Sequence, residues 1–253
     1  MIKNKFSVIG LIPARSGSKR INNKNIKYLN GHPLIAYTIQ SAISSGLFNK
    51  IVCVTDCSEI ANIASYYGAE VPQLRPHEIS GDKSFDIEWV QWILNYLLEA
   101  GESYEVFSIL RPTSPFRLPS TIQRALKLFS EEAIADSLRA VQKVKEHPGK
   151  MWLFDKNRMS PLLPFKNDEV PWHSSQYTSL PEVYVQNASL EIAWTKVALQ
   201  SGSIAGSSII PFVSEGLEGF DINIPEDWIL AEHFINSGEG QLTDIQIKPY
   251  NKI

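Results

Sequence analysis

Two hydrophobic rhythms alternate along the chain. Short, nearly unbroken apolar runs occur at FSVIGLIP (6–13), KIVCVTD (50–56) and YEVFSIL (104–110), and each reads as a strand buried on both faces. Between them, apolar residues return every three or four positions. GHPLIAYTIQSAISSG (31–46) is a helix with Pro33 suited to its first turn, Ile35, Ile39 and Ile43 on one face, and Gly46 as its stop. SEIANIASYYG (58–68) is a second helix ending at Gly68, and AEVPQLRP (69–76) offers a short strand. SFDIEWVQWILNYLLEAG (84–101) is a long amphipathic helix whose Trp89, Trp92, Ile93, Tyr96 and Leu97 belong to the core. RPTSPFRLPSTIQRALKLF (111–129) gives a loop and then a helix, with Ser120 and Gln123 at capping-box spacing.

Strands alternating with helices of this length predict βαβ units, right-handed crossovers and a mainly parallel sheet. The rhythm stops after DSLRAVQKV (136–144). From His147 to Pro181 the chain is rich in proline, tryptophan and polar residues without helical period, which predicts an inserted arm with short strands. Its Trp152, Phe154, Phe165, Trp172 and Tyr177 need burial, and a second subunit would supply it. EVYVQNASLEIAW (182–194) returns to strand character. FDINIPEDWILAEHFINSG (220–238) reads as a strand end, a loop and a helix begun at Pro225, and the polar tail from Glu239 reads as loosely held. No internal repeat interrupts this order, so residues 1–253 are read as one domain carrying an arm at about 147–181.

At 253 residues, 43% hydrophobic and 20% charged, the composition is that of an ordinary globular protein, and a net charge of −3 argues against a nucleic-acid binder. Cys53 and Cys57 have no His or Cys pair at ligand spacing, so they are read as small apolar residues at a strand end rather than a zinc site. Two cysteines form no disulfide framework, no apolar run is long enough to cross a membrane, and no secretory signal pattern opens the chain. These features point to a cytoplasmic protein.

Against that slightly acidic background, LIPARSGSKRINNKN (11–25) packs Arg15, Lys19, Arg20 and Lys24 into a polar loop directly after the first strand. In an open parallel sheet, ligands bind beyond the carboxyl ends of the strands. Four polar segments fall at such ends here: residues 13–25, Thr55–Asp56, 111–117 and 221–227. The first loop has neither G-x-x-x-x-G-K-[ST] nor G-x-G-x-x-G, which removes support from a P-loop kinase and a dehydrogenase. It keeps the parts of a phosphate cradle: Ser16, Gly17 and Ser18 allow backbone N–H groups to approach an anion, and Arg15, Lys19 and Lys24 bring charge. A solvated basic turn is the competing reading of the same residues.

LIPARSGSKRINNKNI (11–26) resembles the N-terminal signature of the acylneuraminate cytidylyltransferases and their relatives for other nonulosonic acids. The resemblance continues in order through VTD (54–56), LRP (74–76), LRPTSPFR (110–117), HPGK (147–150), QNAS (186–189) and FDINIPEDW (220–228). It implies a Rossmann-like α/β nucleotidyltransferase fold with a dimerisation arm, and transfer of CMP from CTP to a sialic-acid-like nonulosonic acid with Mg²⁺ and release of pyrophosphate. The product would serve cell-surface glycan synthesis, such as lipopolysaccharide or capsule. By the same resemblance, Ala14 to Lys19 and Lys24 hold the triphosphate, and Asn25 and Arg75 lie near the nucleotide. Arg111, Thr113, Ser114, Lys150, Gln186 and Asn187 face the sugar acid, Arg111 the nucleotide as well, and Asp221 with Asn223 holds the metal. Arg15, Lys19, Lys24 and Asp221 are the residues expected to carry catalysis.

Three positions depart from the family pattern. Asp221-Ile222-Asn223 replaces D-x-D, Arg111 stands where an amide usually precedes P-T-S-P, and Val185-Gln186-Asn187-Ala188 replaces R-P-N-G. An added cation at 111 suits a different acidic sugar or a different base. Two other readings therefore stay open: a guanylyl- or uridylyltransferase acting on a sugar phosphate, and a nucleotide-binding homologue with impaired catalysis.

Overall fold

The computed structural model describes residues 5–132, 134–164 and 170–251. Its centre is a six-stranded mixed sheet. In chain order its strands are β1 (Val8–Pro13), β4 (Lys50–Val54), β5 (Val106–Ile109), β6 (Ser137–Lys143), β9 (Tyr184–Trp194) and β10 (Ile209–Val213). The spatial order is β10-β6-β9-β5-β1-β4. β1 runs parallel to both β4 and β5, and β10 runs parallel to β6, whereas β9 lies antiparallel between β5 and β6. Two small ribbons, β2 (Tyr28–Leu29) with β3 (His32–Pro33) and β7 (Trp152–Asp155) with β8 (Arg158–Pro161), stand apart from it.

Both faces of the sheet are covered because its strands are apolar on both sides. Val8 and Ile12 of β1 pack on one face with α1 (Leu34–Ser45), α2 (Ser58–Tyr66) and α4 (Pro119–Glu131). Ile9 and Leu11 pack on the other with α3 (Asp86–Glu99) and α5 (Thr195–Ser201). A third cluster, around Leu29, Tyr37, Phe116 and Trp228, seats α6 (Pro225–Ser237) beside the carboxyl ends of the strands.

Several expectations change. AEVPQLRP forms a single bridge, Val52 to Glu70, and not a strand, because prolines at 72 and 76 remove the donors a ladder needs. Pro33 sits just before α1 rather than within its first turn. α4 begins at Pro119, preorganised for a first turn, so Ser120 is not its cap, and Gln123 instead donates to the Ser45 carbonyl at 2.9 Å. In α3, Trp89, Ile93 and Leu97 are buried while Trp92 and Tyr96 are only half-buried. Residues 220–224 form no strand before α6, and α5 and β10 add two elements between 195 and 213. The tail is fastened rather than loose: Thr243 is buried against Ser41 at 2.5 Å, and Tyr66 and Tyr67 hold the backbone at Lys248 and Tyr250.

The expected arm is a β7–β8 hairpin followed by 3₁₀ turns at Trp172–Ser174 and Tyr177–Ser179. His147 is buried. Its Nδ1 accepts from the Gly149 N–H at 3.0 Å and its Nε2 meets the Pro181 carbonyl at 3.1 Å, so it ties the two ends of the arm together. Phe154 is 81% exposed, and Leu153, Met159 and Tyr177 are exposed with it. Phe165 lies outside the described residues.

Candidate active site

The four polar segments converge at the carboxyl end of the parallel strands. Residues of three of them border an open cleft of about 500 Å³, walled by Arg15, Lys19, Lys24 and Arg75 with Asn25 and Thr113. The fourth, Thr55–Asp56, shapes the cleft from behind. The Asp56 carboxylate accepts the Ser16 N–H at 2.6 Å and the Ser16 hydroxyl at 2.7 Å, which fixes the turn at Gly17, where φ is +73°. Burial works against the charged form of Asp56, but the two bonds from Ser16 outweigh it and hold the carboxyl below its ordinary pKa. Ala14, Ser16 and Gly17 thus shape the loop, while Arg15, Ser18, Lys19 and Lys24 line the cleft.

Lys24 bridges distant parts of the chain. Its Nζ donates to the Ile222 carbonyl at 2.7 Å, placing the ammonium beside Asp221. Burial lowers its pKa, and the Asp221 carboxylate offsets only part of that. Ile222 in turn donates its N–H to the Thr113 carbonyl at 2.9 Å, so the 111–117 loop, the 221–227 segment and the first loop are stitched together. Asn25 donates to the Arg15 carbonyl at 3.2 Å, and Arg75 is buried with Nε on Ser80 Oγ at 3.0 Å.

A second cleft of about 490 Å³ adjoins the first and shares Arg111 and Asn223 with it. Four amides line it, Gln142, Gln186, Asn187 and the shared Asn223, together with the carboxylates of Glu191, Asp221 and Asp227. Asn187 reaches it from a bulge. Between the pairs Arg139–Glu191 and Val141–Gln186, β9 carries more residues than β6, and Asn187 to Leu190 occupy the excess. Asn187 Nδ2 donates to Ser214 Oγ at 2.9 Å, and a Cβ at Gly219 would lie 2.6 Å from that nitrogen, so only glycine allows this approach.

Two expected site residues are placed elsewhere. Lys150 lines neither cleft: its Nζ donates to the carbonyls of His173 and Ser175, at 3.3 and 2.8 Å, inside the arm. Ser114 is buried beneath the loop and lines neither cleft. Arg111 is in place but already paired. Its Nη2 lies 2.6 Å from Asp86 and 2.9 Å from Glu191, and Glu191, only 3% exposed, also holds Arg139. The departure from the family amide is therefore an internal ion-pair network between the two clefts. Sequence reading missed Asp82, Asp86, Gln142 and Glu191. Only the run of acids in SGDKSFD (80–86) hinted at the first two.

Asp221 has one carboxylate oxygen committed, accepting from Asn223 Nδ2 at 2.6 Å, and its buried Oδ1 has no hydrogen-bond partner among the described residues. Asp227 accepts from the backbone N–H groups of Asn223 and Ile224, at 2.7 and 3.0 Å, which fixes that turn at the start of α6. An unpaired carboxylate oxygen next to a cationic cleft suits a hard divalent cation, which takes one or two protein carboxylates and leaves its other positions to phosphates and water. The residues fit Mg²⁺, with Asp221 as its protein carboxylate.

The sequence profile described as cytidylyltransferase matches residues 9–162. The chain belongs to this family. It is a nucleotidyltransferase of the acylneuraminate cytidylyltransferase type. Along 93% of its length it is 32% identical to a CMP-N,N'-diacetyllegionaminic acid synthase of Legionella pneumophila, covering 99% of that protein. Nearly half of the chain is 43% identical to an N-acylneuraminate cytidylyltransferase of Escherichia coli, of which the match covers 28%, and 38% identical to a pseudaminic acid cytidylyltransferase of Campylobacter jejuni, of which it covers 51%. Among solved structures, a CMP:2-keto-3-deoxy-manno-octonic acid synthetase superposes with a TM-score of 0.64 over 92% of the chain and 99% of its own, at 11% identity. A 4-diphosphocytidyl-2C-methyl-D-erythritol synthase from Anaerococcus prevotii gives 0.60 over 91% and 98%, at 13% identity. These two share the fold.

Proposed function

We propose that the enzyme transfers CMP from CTP to a sialic-acid-like nonulosonic acid and releases pyrophosphate. The observation that carries this reading is the pair of adjoining clefts, one walled largely by cations and one by amides and carboxylates, with Asp221 and Lys24 at their junction. Arg15, Lys19 and Lys24 bind the triphosphate. Their charge answers the negative charge that gathers on the phosphate oxygens and the leaving pyrophosphate as the α-phosphate is attacked. Gln142, Gln186 and Asn187 orient the sugar so that its anomeric hydroxyl faces the nucleotide, and positioning supplies much of the rate. Mg²⁺ bound at Asp221 would add Lewis-acid stabilisation of phosphate charge. Because Arg111 is neutralised by Asp86 and Glu191, it shapes the wall between the clefts rather than offering a free cation to either substrate.

Among the described residues no helix is long and apolar enough to cross a membrane. That agrees with a cytoplasmic enzyme feeding cell-surface glycan synthesis, such as lipopolysaccharide or capsule. The exposed apolar face of the arm supports a homodimer. The test is pyrophosphate release with each of the four nucleoside triphosphates against a panel of nonulosonic acids and sugar phosphates. Release with CTP and a nonulosonic acid is expected. Release with GTP or UTP and a sugar phosphate, and not with CTP, would overturn the reading.

A further inference from the structure

Arg15 and Lys19 of the phosphate loop reach across the cleft to one carboxylate. Arg15 Nη2 lies 2.7 Å from Asp82 Oδ1, and Lys19 Nζ holds the other oxygen, Oδ2. Asp82 comes from a separate segment, between the 3₁₀ turn at His77–Ile79 and α3, and it lines the cleft itself. A carboxylate offers the same paired anionic oxygens that a phosphate offers, so this contact takes the place of a ligand's. Lys19 and Asp82 are exposed and Arg15 is half-buried, and pairs of that kind contribute little to holding a fold together. Lys24 differs: it donates to the Ile222 carbonyl, so a phosphate meeting Lys24 displaces no carboxylate there.

We propose that Asp82 is an internal anion that competes with phosphate for Arg15 and Lys19 and so sets how tightly the cleft holds a triphosphate or pyrophosphate; this rests on the triphosphate reading of the cleft. An entering triphosphate must take both cations from Asp82 and binds less tightly for it, whereas a monophosphate leaves them paired. After transfer, Asp82 takes the cations back and speeds the departure of pyrophosphate. The two bonds to Lys19 and Arg15 also keep the Asp82 carboxyl below its ordinary pKa, so the competitor is charged at neutral pH.

The test is calorimetric titration of the full-length wild type, Asp82→Asn, Asp82→Glu and Glu99→Gln with CTP, pyrophosphate and CMP. Glu99 is an exposed acid on α3 and controls for net charge alone. Asp82→Asn is expected to bind CTP and pyrophosphate about three- to tenfold more tightly, while CMP shifts by less than about twofold. Asp82→Glu, which keeps the charge, should stay near wild type, and the gain should shrink as salt is raised. Unchanged or weaker binding of CTP and pyrophosphate by Asp82→Asn, or an equal gain in Glu99→Gln, would overturn the proposal. Failure of the wild type itself to bind CTP or pyrophosphate would overturn the triphosphate reading, and the proposal with it.

Discussion

Lys24 joins the two ends of the chain through a single atom, its ammonium resting on the carbonyl of Ile222. Replacing it with alanine removes one preorganised cation from the transferring phosphate, which should slow turnover by about 2–4 kcal/mol of barrier. The fold should survive, since the side chain spans a cleft rather than a core. Full turnover at saturating CTP would remove Lys24 from the catalytic set. Its pH dependence has a definite sign. Burial lowers the pKa of Lys24, so its charge is lost as pH rises before the ordinary lysine range is reached. CTP affinity should fall on that alkaline limb, and Lys24→Arg, whose guanidinium stays charged, should push the limb to higher pH.

Asp221 and Asn223 form the second residue-scale test. Asn223 spends its amide N–H on Asp221, so it orients the carboxylate without adding charge. Asp221→Asn should nearly abolish activity. Asn223→Asp should lower the Mg²⁺ concentration needed for half-maximal rate, because Arg111 is already occupied by Asp86 and Glu191 and is not free to quench a new acid. A Mg²⁺ titration at fixed CTP measures both. Full activity in Asp221→Asn would place the metal elsewhere.

At the scale of elements, Arg111 links the end of β5 to the start of α3 and to β9. Restoring an amide by Arg111→Gln would leave Glu191 with Arg139 alone and strip Asp86 of its cation. We expect a loss of about 1–3 kcal/mol, since breaking a partly buried pair strands charge in a poorly solvated place. Urea denaturation measures it, and an unchanged midpoint would show that the network contributes nothing. This network also marks the limit of what the sequence conveys. β1, β4, β5, α1 and α3 were legible because each meets its periodicity with local residues alone. The first loop was legible because its cations crowd within a few positions. Glu191 was not: it sits in a strand pattern at 191, and only the pairing of β9 with β6 brings it to Arg139 and its pairing with β5 brings it to Arg111. The placement of Lys150 was hidden for the converse reason. Its motif fits, but the arm folds back and gives its ammonium two carbonyls to bind.

Among the described residues the arm leaves large apolar side chains in water. Phe154 and Met159, paired across one face of the β7–β8 hairpin, are exposed, as is Leu153 on the other face. A homodimer burying them should hide about 800 Å² or more on each subunit. Sedimentation at micromolar concentration should therefore report twice the monomer mass, and Phe154→Glu should shift it toward monomer. A fully active monomer would refute the interface.

One topological feature reaches further. β6 leaves the sheet at its cleft end, and β9, running the opposite way, re-enters at that same end. The segment between them therefore starts and finishes at the cleft end of the sheet. A segment so delimited is a natural cassette. Its residues can be exchanged without disturbing the strands, whereas Gln142, Gln186 and Asn187, which line the second cleft, belong to the strands themselves. A chimera carrying the arm of a relative with another acceptor should therefore keep its own acceptor preference along with its preference for CTP.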